Sequence, residues 1–564
     1  MKSIFWVTMI ALLSTACIDN PRCYERPIDI EVNDDGPWIL ADHYHSRKQN
    51  PEDYVLKEGE FGYQGVFGFR RIFQHLTNNG YHWGSTRELP LSRERLKGYD
   101  VLFINLVSSD RPDFSDDEVK AIIEFVDGGG GLFVIADHTN VYRHAERVNR
   151  FLIPMGIEVL YSIAVDFPPE HSIAGLGWTL TDDFTDHPVA KDLHQISLQT
   201  GGPMQSDGGG VALTSDKSFA DFWDPEDTGG YYGNWRFDGD ESVEPKGPLE
   251  VVTAVNYGKG RIVVVGDQNI FGDAWTHYVD NFELAANAFE WLAKREDAAK
   301  PLHLQRPSGT LIGLDQRHTK YFGGKQGANG EFAFYVNMNR DGEITGRGIN
   351  RFNGFDDALM IINPTVAYSD EEIAQIRSYL KDGKKVILSF EPGMIEAPTQ
   401  QLLKAFAPAF SVRSGTKTSN IDSLLDFAPT ETKGSFVLSS KEMDVDGISL
   451  SAYHFDPTKE ENMEEDIEPY LYNINSDWGA SFISGKKGDK TIDIARWAKV
   501  EKGAFIIFPQ DGFFRNRTMG SYLRAPRKYN KPVYLLQKNL QNYLKVKTAR
   551  KPVVILETSE CPVN

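Results

Sequence analysis

The sequence predicts an α/β protein built from two tandem, doubly wound, mostly parallel sheets. Three observations predict it. The first is an internal repeat: Leu40-Ala41-Asp42-His43-Tyr44-His45 is answered by Gly313-Leu314-Asp315-Gln316-Arg317-His318, Gly59-Glu60-Phe61 by Gly330-Glu331-Phe332, and Ser115-Asp116-Asp117-Glu118-Val119 by Ser369-Asp370-Glu371-Glu372-Ile373. Each of those two serines stands 22 positions before an acid that closes an apolar run, Asp137 or Glu391. A repeat of this length sets the architecture before any chemistry is considered. The second is that the apolar runs are short and do not alternate with polar residues, as expected of strands buried on both faces. The third is that these runs alternate with helix signals, the pattern of a parallel sheet covered on both sides.

Taken in order, the run over 38–41 ends at Asp42 and reads as the first strand. Residues 67–76 have helical spacing, and 101–106 form a second strand. Ser115 with Glu118 is a capping box: the serine caps the helix start and the glutamate reaches back to it. That helix, over 119–126, stops at the glycines of 128–131. A third strand covers 132–136 and ends at Asp137-His138. A fourth, over 262–265, ends at Gly266-Asp267-Gln268, and a helix over 282–292 closes the unit. After a polar, proline-bearing linker the pattern returns: strands over 310–314, 358–362, 386–390 and 504–508, a second capping box at Ser369 and Glu372, and a last helix carrying Asn539, Tyr543 and Leu544. Each copy has a long insertion before its final core strand. The first, over 150–250, contains Asp221-Phe222-Trp223-Asp224 and Tyr231-Tyr232-Gly233-Asn234-Trp235. The stretch from Asn337 to Glu343 resembles the start of a calcium loop, but Gly348 stands at its twelfth position, so an Asp-Gly turn is expected there.

Composition narrows the partners. The chain has 564 residues, enough for two to four domains, and 41% are hydrophobic. A formal net charge of -20 argues against nucleic acid as a partner. Lys2, an apolar run over 4–13 and then Ser14-Thr15-Ala16-Cys17 read as a targeting segment. It resembles a bacterial lipoprotein signal, with Cys17 lipidated, although Ser14 stands where that pattern prefers Leu. The expected organisation is therefore a signal peptide over 1–16, a leader over 17–36, a first domain over 37–296, a linker over 297–308, a second domain over 309–547 and a tail over 548–564. The expected location is the cell envelope, lipid-anchored and facing the periplasm or exterior. Cys23 and Cys561, which flank the folded region, are then expected either to pair as a disulfide, the favoured reading, or to stand as two free thiols near the chain ends.

The strand, capped helix, glycine-rich stop and strand resemble the class I glutamine amidotransferase-like fold, itself flavodoxin-like. Gly98-Tyr99-Asp100-Val101-Leu102, Phe114-Ser115-Asp116-Asp117-Glu118-Val119, Gly129-Gly130-Gly131-Leu132 and Gly258-Lys259-Gly260-Arg261-Ile262-Val263 resemble its non-catalytic branch. That branch includes gliding-motility auxiliary proteins of ABC transporters and an intraflagellar-transport subunit, with trehalose-utilisation-type proteins nearby. The resemblance implies the fold and points to sugar binding.

A true amidotransferase needs a thiolate at the strand-to-helix elbow. The elbows here are Ala136-Asp137-His138 and Phe390-Glu391-Pro392, and no cysteine lies between Cys23 and Cys561, so thiol-dependent glutamine hydrolysis is excluded. No Gly-x-Ser-x-Gly elbow or phosphate-cradling Gly-x-x-x-x-Gly-Lys-Ser/Thr loop occurs either. Polar residues are expected to converge beyond the strand ends, where open sheets bind ligands. These are Asp42, His43, His45, Asn105, Ser108, Asp137, His138, Asp267 and Gln268, with Glu60, Asp273, His277 and Asn281 nearby. With Trp223, Tyr231, Tyr232 and Trp235 they suit a carbohydrate or another envelope component: carboxylates and amides bind hydroxyls, and aromatic faces take the C–H side of a sugar. Two alternatives stay open. Asp42, His45, Asp137 and His138 have the ligand chemistry of a divalent metal, which would make the protein a hydrolase with Asp267 as orienter or base. Alternatively the chain is a scaffold for a protein partner, and its acids and histidines only cap helices and hold loops.

Overall fold

The computed structural model describes residues 36–46, 69–86, 90–167, 171–172, 177–224, 232–272, 275–302, 309–319, 331, 334–335, 338, 344–349, 351–390, 396–410, 417–418, 426–427, 471–472, 476–487, 490–509, 514–515 and 540–547. Cys17, Cys23, Glu60, Asp273, Glu391 and Cys561 lie outside the described residues.

The chain forms two large, mostly parallel sheets with helices against them, as the repeat predicts. In the first, the order is His82–Thr86, Trp38–Asp42, Val101–Asn105, Gly131–Ile135, Gly260–Val265 and Glu250–Tyr257, continuing into the shorter Met204–Ser206 and Ile157–Val159. The first five strands are mutually parallel. Glu250–Tyr257 pairs antiparallel with Gly260–Val265 through a tight turn in which Gly258 has φ 55. The second sheet repeats the order with Ile344–Ile349, Thr310–Asp315, Ala358–Ile362, Lys385–Ser389, Gly503–Phe508 and Lys490–Val500. The sequence pattern did not mark the outer strands His82–Thr86 and Ile344–Ile349, or the antiparallel Glu250–Tyr257 and Lys490–Val500. His82–Thr86 reads His-Trp-Gly-Ser-Thr and sits at the sheet edge, where a strand needs no continuous apolar run.

Winding on both faces is visible residue by residue, because successive strand side chains point to opposite sides. Ile39, Ala41, Val101, Phe103, Phe133, Ile135, Val263 and Val265 pack with the helices Arg70–Asn78 and Asn281–Leu292. Leu40, Leu102, Ile104, Leu132, Val134, Ile262 and Val264 pack with the helices Asp116–Asp127 and His144–Leu152. Phe103, Phe133 and Phe289 meet at centroid distances of 5.0 to 5.9 Å, Phe133 edge-on to both others, so one aromatic cluster ties the centre of the sheet to the closing helix.

The recurring Asp-x-x-His motif has a structural role in both copies. In the first, His45 Nδ1 lies 2.9 Å from Asp42 Oδ2, and Nε2 lies 3.1 Å from Glu118 Oε1. Glu118 is the capping-box residue: its other oxygen accepts from Ser115 N and Ser115 Oγ, both at 2.8 Å. The imidazole stacks on Phe114 at 3.9 Å. In the second copy, His318 Nδ1 lies 2.9 Å from Asp315, Nε2 lies 3.4 Å from Glu372 of the second capping box, and Tyr368 replaces Phe114 in the stack at 4.0 Å. Each copy thus joins the end of its first strand to the start of a core helix through a buried acid–imidazole–acid bridge.

The copies also touch. Tyr278, fully buried, pairs with Gly348 in a parallel bridge, and Val279 N donates to Gly348 O at 3.1 Å, so a loop of the first half extends the edge strand of the second. Arg71 Nη1 donates to Thr345 Oγ1 at 3.2 Å across the same contact. A Cβ on Gly348 would meet Gln316 Oε1 at 2.6 Å and the Tyr278 ring at 2.7 Å. Gly348→Val is therefore expected to lower stability by about 2 kcal/mol, read as an earlier urea midpoint, because an overpacked contact must open.

Burial works against charge on His45, but Asp42 and Glu118 outweigh it and hold the pKa up at about 9, from an ordinary 6.5. Burial likewise opposes charge on Glu118, but its bonds to His45 and Ser115 hold it down at about 2, from 4.5. The raised imidazole contributes stability that is complete below pH 6.5 and is lost as pH rises through about 9. The depressed carboxyl contributes above pH 4.5 and is lost as pH falls through about 2. His45→Gln is expected to lower stability near pH 6 by about 3 kcal/mol, because it strands two buried carboxylates, and to flatten the decline between pH 6.5 and about 9. Urea unfolding across that pH range checks both effects.

Candidate functional site

The parallel strands of the first sheet deliver their polar residues to one rim, but not to one cleft. By the two-residue period Asp42 falls on the side of Leu40, and His45 stacks on Phe114 of the same core. Both His45 nitrogens face carboxylates. The metal set expected from sequence, Asp42, His45, Asp137 and His138, is therefore not assembled. Among the described residues no group of three or more His, Cys, Asp and Glu side chains is placed to hold a metal ion. The reason is that the capping glutamate takes the imidazole nitrogen that a metal would need. His43 is also buried, and its N–H donates to Thr86 O at 2.8 Å, which prolongs the strand pairing.

Asp137, His138, Asp267 and Gln268 lie on a second group of loops. Asp137 N donates to His144 Nε2 at 3.0 Å, while His144 Nδ1 faces Val141 O at 2.8 Å. Burial pushes the His144 pKa down to about 4, so the ring is neutral and can accept at Nε2. His138 N donates to Asp137 Oδ1 at 2.8 Å, and Thr139 beside it has φ 52. Gly202 brings this loop against the next one: its N–H donates to Gly266 O at 2.7 Å, and a Cβ there would collide with Asp137 O. Asp267, fully buried, accepts from Asn269 N at 2.7 Å and from Gln199 N at 2.6 Å. Burial outweighs those two bonds and pushes its carboxyl up to about 7.

An aromatic rim stands over the Asp137–His138 loop. The His138 ring stacks on Tyr232 at 4.8 Å and 17°, and Tyr232 lies 5.7 Å from Trp235. Asp221, on the Phe219–Phe222 strand, holds this segment in place: it accepts from Asn234 N at 3.2 Å and from Trp235 N at 2.7 Å, with Trp235 at φ 63. Glu244 accepts from Phe222 N and Asp238 N beside it. Burial pushes Asp221 up to about 6. Trp235 is half-buried, packed over Gly177 and against Ile163, Val165 and Phe219. Tyr232 is 43% exposed.

Other expected members are used elsewhere. Asn281 bonds the backbone of Ser197, Ile270 and Trp275, and His277 stacks on Phe282 near the contact between the halves. Sequence reasoning missed Glu118 as the partner of His45, because its capping-box role already explained it. It also missed Gln199, Gly202 and Asn269. The first two lie in the insertion, where Gly201-Gly202-Pro203 after a short apolar run was the available signal.

The rim therefore offers amides, a carboxylate held near neutrality and an aromatic face, and lacks a thiol. No protein-family model matches the sequence, and no curated protein matches it. Solved structures do. The N-terminal domain of mmIFT52 is similar at 16% identity, covering 45% of this chain and 97% of its own, with a TM-score of 0.33. A ThuA-like protein from Bacteroides uniformis matches at 16% identity over 50% of this chain and 100% of its own, with a TM-score of 0.27. Another from Parabacteroides merdae matches at 12% identity over 46% of this chain and 90% of its own, with a TM-score of 0.25.

Proposed function

We propose that this protein is an exported, lipid-anchored envelope protein that recognises a carbohydrate or a similar envelope component at the strand-end loops of its first domain, over 37–296. Binding rather than turnover is its work. The observation that carries this reading is the His138–Tyr232–Trp235 cluster, held over the Asp137 loop by Asp221, with Tyr232 exposed. An aromatic face beside amide and carboxylate groups suits a sugar, whose C–H side packs on the ring while its hydroxyls bond the polar rim. The sequence supports recognition over catalysis in one respect: the elbow carries Asp137 where an amidotransferase presents a cysteine. A metal-dependent hydrolase has less support, because the histidine it needs is bridged between two acids.

Tyr232→Ala is expected to weaken binding on a glycan array or in calorimetry about tenfold, the loss of one aromatic contact. Its thermal midpoint should stay within a degree or two, since the residue is exposed. Unchanged affinity would remove the rim from the proposal. Cys17→Ser is expected to move the protein from the membrane to the soluble fraction of cells, and an unaltered distribution would refute the anchor.

A further inference from the structure

The least explained polar group in the first half is Asn105. Its side chain is 2% exposed, yet neither its amide nitrogen nor its amide oxygen has a hydrogen-bond partner among the described residues. Such a group costs free energy in the folded chain unless something else satisfies it. Its position is informative. Asn105 ends the Val101–Asn105 strand, which pairs with Trp38–Asp42 on one side and Gly131–Ile135 on the other. The strand order reverses there: from Trp38–Asp42 the chain first winds outward to His82–Thr86, then returns to Val101–Asn105 on the other side. Doubly wound sheets open a crevice for ligands at that reversal, beyond the carboxyl ends of the strands. Leu106, the next residue, has φ 44, a left-handed conformation costly for a large side chain and frequent at binding sites.

Asn105 is not alone. Gln199, Gln268 and Asn269 each present a buried side-chain oxygen without a partner among the described residues. Gln199 and Asn269 are tied together by the Asp267 carboxylate, which accepts from both their backbone N–H groups. All of these orphaned groups are neutral amides. The acids on these loops are Asp42, Asp110, Asp137 and Asp267; the segments 137–140, 199–203 and 266–272 contain no lysine or arginine, His45 is bridged between Asp42 and Glu118, and Arg147, beside Ser108, spends its Nη1 on the carbonyls of Ser108, Arg111 and Pro112. A phosphate, sulfate or uronate entering here would meet carboxylates, with His45 already paired to two acids and Arg147 already bonded to backbone carbonyls, whereas hydroxyl groups match amides as both donors and acceptors.

Building on the carbohydrate reading above, we propose that the ligand is an uncharged, polyhydroxylated sugar, and that Asn105 is its buried hydrogen-bonding anchor at the strand-order reversal. The Tyr232 face then takes the apolar side of the same ligand, one strand away.

The test uses the chain as it exists, titrated by calorimetry with neutral oligosaccharides and with uronic, sulfated and phosphorylated counterparts, for the wild type, Asn105→Leu and Asn105→Ala. Leucine keeps the branched shape of asparagine without its polar atoms, and alanine tests the position if leucine does not fit. Neutral sugars are expected to bind at least about tenfold more tightly than their anionic counterparts. Asn105→Leu is expected to lose about tenfold in that affinity while holding or raising the thermal midpoint, because it removes an unsatisfied buried amide. Preference for anionic glycans overturns the inference and leaves carbohydrate recognition standing. Variants that melt earlier but bind as the wild type does overturn Asn105 as the anchor, since the amide would then be structural. If no glycan of either class binds, the parent reading falls, and this one with it.

Discussion

The bridge from Asp42 through His45 to Glu118 is the constraint on which the rest of the first sheet depends. It fixes the end of the first strand to the start of the Asp116–Asp127 helix. Its energetics are those of a buried charge set: desolvation is costly, and the arrangement holds because each charged atom meets a partner of opposite sign or a hydrogen bond. The same arrangement recurs at Asp315, His318 and Glu372. What recurs between the two copies is thus a joint in the fold rather than a binding group. The residues that differ between copies, such as His138 against Pro392, are where the halves diverge chemically.

This joint also explains why the rim has two kinds of polar residue. One kind is spent within the fold: Asp42, His45, Asn281 and His144 are taken up by backbone groups, by one another or, for His45 Nε2, by Glu118. The other kind is held in place but left with capacity to spare. Asp267 is clamped by two N–H groups, Asp221 clamps the aromatic segment, and Asn105 carries an amide with no partner among the described residues. Glycine at 202 lets the Asp137 and Asp267 loops approach, which a side chain would prevent. A rigid sheet with two buried faces supplies the support, so the rim is positioned by the core rather than by its own contacts.

The second half is coupled to the first through the sheet edge. An exposed outer strand offers unpaired backbone groups to any passing chain. Here Tyr278 and Val279 cover part of the Ile344–Ile349 strand, and Arg71 reaches Thr345 beside them.

Sequence alone determined the duplication, the fold class, the four core strands in each half and both capping boxes, because these follow from spacing and short-range hydrogen bonding that any copy of the motif must satisfy. It also excluded thiol-dependent glutamine hydrolysis at the elbows, because no cysteine lies between Cys23 and Cys561. It led to the expectation that Asp42, His45, Asp137 and His138 meet in one cleft, whereas the structure puts Asp42 and His45 on the side of Leu40 and Phe114. Which side of the sheet a strand-end side chain takes, and whether a distant helix brings a carboxylate to meet it, are set by packing between segments far apart in the chain. Glu118 and His45 are 73 positions apart, and Gln199 and Asp267 are 68. Only the tertiary structure turned an expected metal ligand into a structural bridge and left Asn105 as a buried amide with no hydrogen-bond partner among the described residues. The physical reason is that hydrogen-bond satisfaction is a property of the assembled neighbourhood and leaves no pattern in the local sequence.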